Sequence, residues 1–181
     1  LAWDAFGTIG GAEIGLGMPG WQRRILQGIR PFLPRDHTLT RAFARGMDFK
    51  LRRYNEALNQ REALIQSLEA FLGHWDAVLC PVAPTGPYPG EPMPPSRKPP
   101  RLAVGETSLP YLEATLAMTT PFSLTGSPVV ALPVGIEDGL PVGVQIIGKR
   151  WQEDRLLKVA GRLERVLGGF VPPPTLCRHD L

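Results

Sequence analysis

Apolar and polar positions alternate with a helical period from the start of the chain. From Leu1 to about Leu16, Trp3, Phe6, Gly10, Ile14 and Gly17 fall on one side of a predicted helix, although its glycines weaken the pattern. Arg41 to Leu72 carries the clearest period. Phe43, Met47, Leu51, Tyr54, Leu58, Ile65, Leu68 and Leu72 follow in steps of three, four or seven. The spacing predicts one long helix packed on several neighbours. Asp76 to Val82 runs through consecutive apolar residues and predicts a buried strand. Val129–Ile136 and Val142–Ile147 predict two more strands. The intervening Glu137-Asp138-Gly139-Leu140-Pro141 marks a hairpin, because Asp-Gly accepts positive φ. In the second strand Val142, Val144 and Ile146 face one way and Gly143, Gln145 and Ile147 the other. Glu153 to Leu167 predicts a closing helix with Leu156, Ala160, Leu163 and Leu167 as its stripe. Glu153 and Asp154 suit its N-terminal dipole, and Gly168-Gly169 suit its C-terminal cap.

The breakers divide these elements. Nine prolines stand from Pro81 to Pro100, so residues 81–101 predict an extended loop. Its Pro94–Arg101 portion, with basic flanks, has a weaker reading as a polyproline ligand. Pro172-Pro173-Pro174 lies in a tail spanning residues 168–181. Gly15-Leu16-Gly17-Met18-Pro19-Gly20 fits Gly-x-Gly-x-x-Gly, but no strand precedes it. A helix end followed by a Pro-Gly turn is the better reading than a dinucleotide loop. Glu13 lies close to the apolar face of the first helix, either solvated or paired inside. Arg61 falls in the gap of the long stripe. It either binds carbonyls or a carboxylate across the core, or snorkels to the surface. The parts make an α/β layered arrangement of helices, a strand, a loop, a hairpin and a helix. Three strands form a narrow sheet, and flanking helices normally cover a wider one.

Composition narrows the class. The 181 residues hold 20 Lys+Arg against 17 Asp+Glu, a formal charge of +3. That is mildly basic, with no basic stripe interleaved with aromatics, and makes a nucleic-acid partner an unfavoured reading. Hydrophobic residues at 43% indicate a packed core. The 20 Gly and 20 Pro follow no three-residue period, which excludes collagen. Cys80 lies in an apolar run far from Cys177, so a reduced, buried thiol in a cytoplasmic protein is expected. His37, His74 and His179 never reach metal-ligand spacing, so neither a metal nor another cofactor is expected. No stretch approaches the roughly 20 apolar residues of a membrane span. The chain begins at Leu1 without Met, inside apolar sequence, which suggests a fragment or a processed chain.

One stretch is far more specific than the rest. Thr119-Thr120-Pro121-Phe122-Ser123-Leu124-Thr125-Gly126-Ser127-Pro128-Val129-Val130-Ala131-Leu132-Pro133-Val134-Gly135 continues into Asp138-Gly139-Leu140-Pro141-Val142-Gly143-Val144-Gln145-Ile146-Ile147-Gly148. It resembles the C-terminal portion of the amidase signature family. Asp76-Ala77-Val78-Leu79-Cys80-Pro81-Val82-Ala83-Pro84 resembles that family's strand end, and Arg61 the arginine of its long helix. The resemblance covers about Leu1 to Leu167. Ser123 stands where Asn is common. The resemblance implies an α/β/α sandwich with a mixed sheet covered by helices, of which residues 1–181 form an incomplete C-terminal part.

The family hydrolyses amides with a serine nucleophile, a second serine on a cis peptide and a lysine, while backbone N–H groups hold the oxyanion. Those residues belong to a Gly-Gly-Ser-Ser-Gly-Gly setting that this sequence lacks. Gly10-Gly11 and Gly168-Gly169 are its only adjacent glycine pairs, and neither touches a serine. No catalytic residue is therefore assigned here, and the chain alone is expected to be inactive. The resemblance places Thr119, Thr120, Phe122 and Ser123 near the acyl or leaving-group side of a pocket for a small-molecule amide. The competing reading is that the threonines cap a strand end and Phe122 is core. Arg61, Gly126, Gly139 and Gln145 stand as structural residues. The expected partner is a second copy of the chain or its own N-terminal half. Two alternatives remain: an amidase-like component of an aminoacyl-tRNA amidotransferase, and a non-catalytic binding module.

Overall fold

The computed structural model describes residues 2–88 and 100–169. Most of Pro94–Arg101, Cys177 and the tail beyond Gly169 lie outside the described residues. Helices α1 (Ala2–Leu16), α2 (Gly20–Ile29), α3 (Thr38–Gly46) and α4 (Leu51–Phe71) come first, with a 3₁₀ turn at Arg30–Phe32. Strand β1 (Val78–Pro81) follows. A small hairpin of β2 (Arg101–Val104) and β3 (Thr107–Pro110) then leads into the short helices α5 (Tyr111–Leu116) and α6 (Thr120–Thr125). Strands β4 (Val129–Glu137) and β5 (Leu140–Ile147) and helix α7 (Glu153–Leu167) complete the order.

The main sheet has the order β1-β5-β4, and both of its pairings are antiparallel. The expected hairpin forms with Asp138 at φ 50° and Gly139 at φ 78°, the paired positive angles that a tight hairpin turn needs. Helix α7 spans the expected residues. It packs Leu156 and Ala160 onto Leu132 and Ile146 of the sheet, with Val159 and Leu163 at the margin. Gly168 takes the left-handed conformation at its C-terminus. A second core joins the helices, where Ala5, Ala57 and Leu124 meet with Phe6, Ile9 and Leu64 around them.

The glycines of α1 serve close packing. Gly7, Gly11 and Gly15 form a smooth stripe against α3. A Cβ at Gly7 would stand 2.5 Å from the Cβ of Ala42, and Cβ atoms at Gly11 and Gly46 would overlap backbone oxygens of Phe43 and Thr8. This corrects the expected face of α1: Ile14 is 51% exposed, while Gly7, Gly11 and Gly15 are buried. Small residues, not large ones, mark the contact, because the two backbones touch.

The single helix expected over Arg41–Leu72 is two. Helix α3 ends at Gly46 and α4 begins at Leu51. The step of four from Phe43 through Met47 to Leu51 crosses the break without interruption, so periodicity could not show it. Gly46 is held against α1, whereas α4 packs on both α1 and α6. Strand β1 is also less buried than its composition suggests. It is an edge strand, its burial alternates, and Leu79 is 60% exposed. Met118–Ser123 leads into α6, which has Pro121 in its first turn and Gly126 at φ 66° as its left-handed cap.

Candidate functional site

The central strand organises the region singled out by the sequence. Gln145, 3% exposed on β5, lies in register between Cys80 of β1 and Ala131 of β4. Its Nε2 donates to the carbonyl oxygens of Pro81 and Met118, both at 2.9 Å. One buried amide thus ties the end of β1 to the segment that enters α6.

From Met118 the chain turns into α6. Thr119 is the N-terminal flanking residue of the helix, and its hydroxyl lies 3.5 Å from the carbonyl oxygen of Leu116. Thr120 is 1% exposed, and its hydroxyl finds no hydrogen-bond partner among the described residues. Phe122 is half-buried, and its carbonyl accepts from the Ser127 amide at 3.2 Å and the Thr125 hydroxyl at 3.1 Å. Ser123 is exposed, and its amide donates to the carbonyl of Thr119 at 3.0 Å.

Arg61 approaches α6 from α4. Its Nε donates to the carbonyl oxygen of Leu124 at 2.7 Å. A cation at the C-terminal end of α6 also meets the negative end of that helix. Gly126 is required by its φ of 66° and not by space, since a Cβ there would meet Arg61 Nη2 at an ordinary 3.9 Å.

Two recesses flank this arrangement. One, of about 600 Å³, opens between α1, α4 and α6. Phe6, Ile9, Phe43 and Leu58 give it apolar walls, and Glu13, Tyr54, Arg61 and Ser123 bring polar groups to it. The other, of about 720 Å³, lies between the segment Pro81–Tyr88 and strands β4 and β5, with Glu137 as its acidic member. Of the four residues expected to line a pocket, Ser123 borders the first recess. Thr119, Thr120 and Phe122 border neither. Gly139 sits in the β4–β5 turn, where it serves the hairpin.

Sequence reasoning did not connect Tyr54, Phe43 and Glu13 with Ser123. The first two were legible only as stripe positions, and nothing in the sequence brings α1 beside α6. It also missed Glu113 of α5. This carboxylate is 1% exposed, and its Oε1 accepts from the backbone amide of Thr40 at 3.1 Å and the Thr40 hydroxyl at 2.9 Å. It thereby satisfies a free amide in the first turn of α3 from a different element. Among the described residues no group of three or more His, Cys, Asp or Glu could hold a metal ion, and no helix is long and apolar enough to cross a membrane.

Comparison with known proteins places this geometry. The A-type subunit of the glutamyl-tRNA(Gln) amidotransferase of Exiguobacterium sibiricum is 30% identical over 120 residues, which is 66% of this chain and 22% of that protein. The chain therefore spans about a fifth of the length of the curated relatives it matches. A crystal structure of an amidase shares 30% identity and a TM-score of 0.58, covering 80% of this chain and 31% of the other. An inhibitor-bound structure concerns a vestigial protein complex and the origins of an s-triazine catabolic enzyme. It shares 26% identity at a TM-score of 0.63, over 92% of this chain and 34% of the other. A model of the Amidase family matches residues 32–157, a span that takes in α3, α4, the sheet and the Gln145–Met118 anchor, and the chain belongs to that family.

Proposed function

We propose that this chain is the C-terminal part of a cytoplasmic serine amidohydrolase, and that it shapes the pocket while the reacting groups come from elsewhere in a longer protein. The observation that carries this reading is the recess of about 600 Å³ in which Ser123 and Arg61 meet apolar walls. With Nε engaged by Leu124, the guanidinium keeps donors on its two terminal nitrogens for a polar group of the substrate. Phe6, Phe43 and Leu58 would hold the apolar part of a small amide. Thr119, Thr120 and Phe122 act one layer behind, as the N-terminal flank and the first residues of α6 itself.

The chemistry follows from the family. A serine attacks the amide carbonyl, a lysine takes its proton through a second serine, and backbone N–H groups hold the oxyanion. The sequence holds no Gly/Ser-rich stretch for that machinery. The chain alone is therefore inactive, and its open sheet edges favour the rest of a longer protein or a second copy as partner.

The test is release of ammonia from a panel of small acyl amides. The isolated 181-residue chain should give none, whereas a longer reading-frame product with an upstream Gly/Ser-rich stretch and lysine should be active. Hydrolysis by the isolated chain, or an upstream sequence without that stretch, overturns the proposal.

A second reading has a specific observation behind it, because sequence relatives of this chain are A-type subunits of glutamyl-tRNA(Gln) amidotransferases. The longer protein would then co-purify with a second polypeptide and need both glutamine and tRNA for full activity. An active single-chain amidase would exclude it.

A further inference from the structure

Helix α2 is inverted relative to an ordinary surface helix. Trp21, Ile25 and Ile29 recur at steps of four and so share one face. That face points away from the body: Trp21 is 62%, Ile25 56% and Ile29 47% exposed. Phe32, in the 3₁₀ turn that continues α2, is 85% exposed. The half-buried side of the helix holds Gln22, Arg23, Leu26, Gln27 and Arg30 instead. No residue of α2 is fully buried. A face of this kind must be covered by something other than the body it stands on.

Its charge indicates what covers it. From Ile14 to Arg35 the chain has no Asp and no Glu, but carries Arg23, Arg24, Arg30 and Arg35. None of these four makes an ion pair among the described residues. Arg24, next to Ile25 in α2, and Arg35, three residues after Phe32, are exposed. A helix with aromatic and branched residues on one side and arginines along its border matches the interface of an anionic bilayer. There the rings enter the headgroup region and the guanidinium groups meet lipid phosphates.

We infer that α2 and the following turn form a docking surface for an anionic lipid membrane, on which the protein lies without crossing. The exposed stripe of Trp21, Ile25, Ile29 and Phe32 enters the interface. Arg24 and Arg35 select negative headgroups. The surface contributes no residue to the recess around Arg61, so the inference stands apart from the proposed hydrolysis.

The test is co-sedimentation of the full chain with sucrose-loaded vesicles. One set is phosphatidylcholine alone, and the other is phosphatidylcholine mixed equally with phosphatidylglycerol. Binding to the mixed vesicles, weakened by high salt, is expected. Arg24→Gln and Arg35→Gln should each lower it roughly five-fold, and Trp21→Ala by about ten-fold. These side chains are exposed, so circular dichroism should show the variants folded. Equal binding to both vesicle types, or none to either, overturns the inference. So does a Trp21→Ala variant that dissociates a dimer in sedimentation while vesicle binding is unchanged, because the stripe then covers a second copy.

Discussion

Gln145 reaches Met118 across the face of the sheet, and the 2.9 Å bond between its side-chain nitrogen and the Met118 carbonyl sets where α6 begins. The same nitrogen holds Pro81 at the end of β1. Replacement by leucine keeps the bulk but removes both hydrogen bonds. Gln145→Leu should cost about 2–3 kcal/mol, read as a lower midpoint in urea denaturation. A midpoint within error of the parent's would show that the anchor contributes nothing.

The contact between α1 and α3 makes an opposite pair of predictions for glycine. Gly11→Ala places a methyl group onto the Phe43 backbone, which cannot rotate away. It should destabilise by about 1–3 kcal/mol. Gly161 sits inside α7 with nothing within 4 Å of a Cβ. Gly161→Ala should stabilise by about 0.5–1 kcal/mol through helix propensity. Thermal melts of the two variants side by side check both signs.

Arg61 offers a sharper test of its carbonyl bond than of its charge. Arg61→Met fills similar space but leaves the Leu124 carbonyl without its donor. The expected loss is about 1–3 kcal/mol. Arg61→Lys should recover part of the stability but not the forked geometry of the guanidinium. Equal stability of the Met and Arg forms would mean that α6 is held by packing alone.

Asp36 ties the loop before α3 to the β2–β3 hairpin through Arg101, with 2.7 Å between the charged atoms. The hydrogen bond from Arg101 holds the Asp36 carboxyl below its ordinary range. A depressed folded value means that the stabilisation is present above the unfolded carboxylate pKa, about 3.9. It is lost as pH falls through the folded value. Carboxyl NMR titration should place Asp36 below the ordinary range in the parent and return it there in Arg101→Gln. An identical titration in both would exclude the coupling. Since Asp36 is exposed, its contribution to stability is small and falls with added salt.

Several elements were legible because their signals are local. The Asp138-Gly139 turn needs positive φ at both residues, and few residue types supply it, so composition alone located the hairpin. Helix α7 announced both of its ends, with acids at the start and glycine at the stop. The hairpin β2–β3 and the helices α5 and α6 gave no such warning. They are short, and their partners are far away in sequence: Asp36 for the hairpin, Thr40 for α5, and Gln145 and Arg61 for α6. The candidate site was legible only in part. Ser123 was named from the motif, whereas its meeting with Phe6, Tyr54 and Glu13 depends on how three helices cross.

The sequence by itself determined the α/β class, the hairpin, the closing helix and the membership shown by the motif from Thr119 to Gly148, because turn chemistry and side-chain period act over a few residues. Only the tertiary structure decided that α3 and α4 are separate, that the glycines of α1 mark a contact, and that α2 turns its apolar face outward. Each of these depends on which surfaces meet across long stretches of chain. A periodic pattern states that a face is apolar, but only the packed neighbours decide whether it is covered.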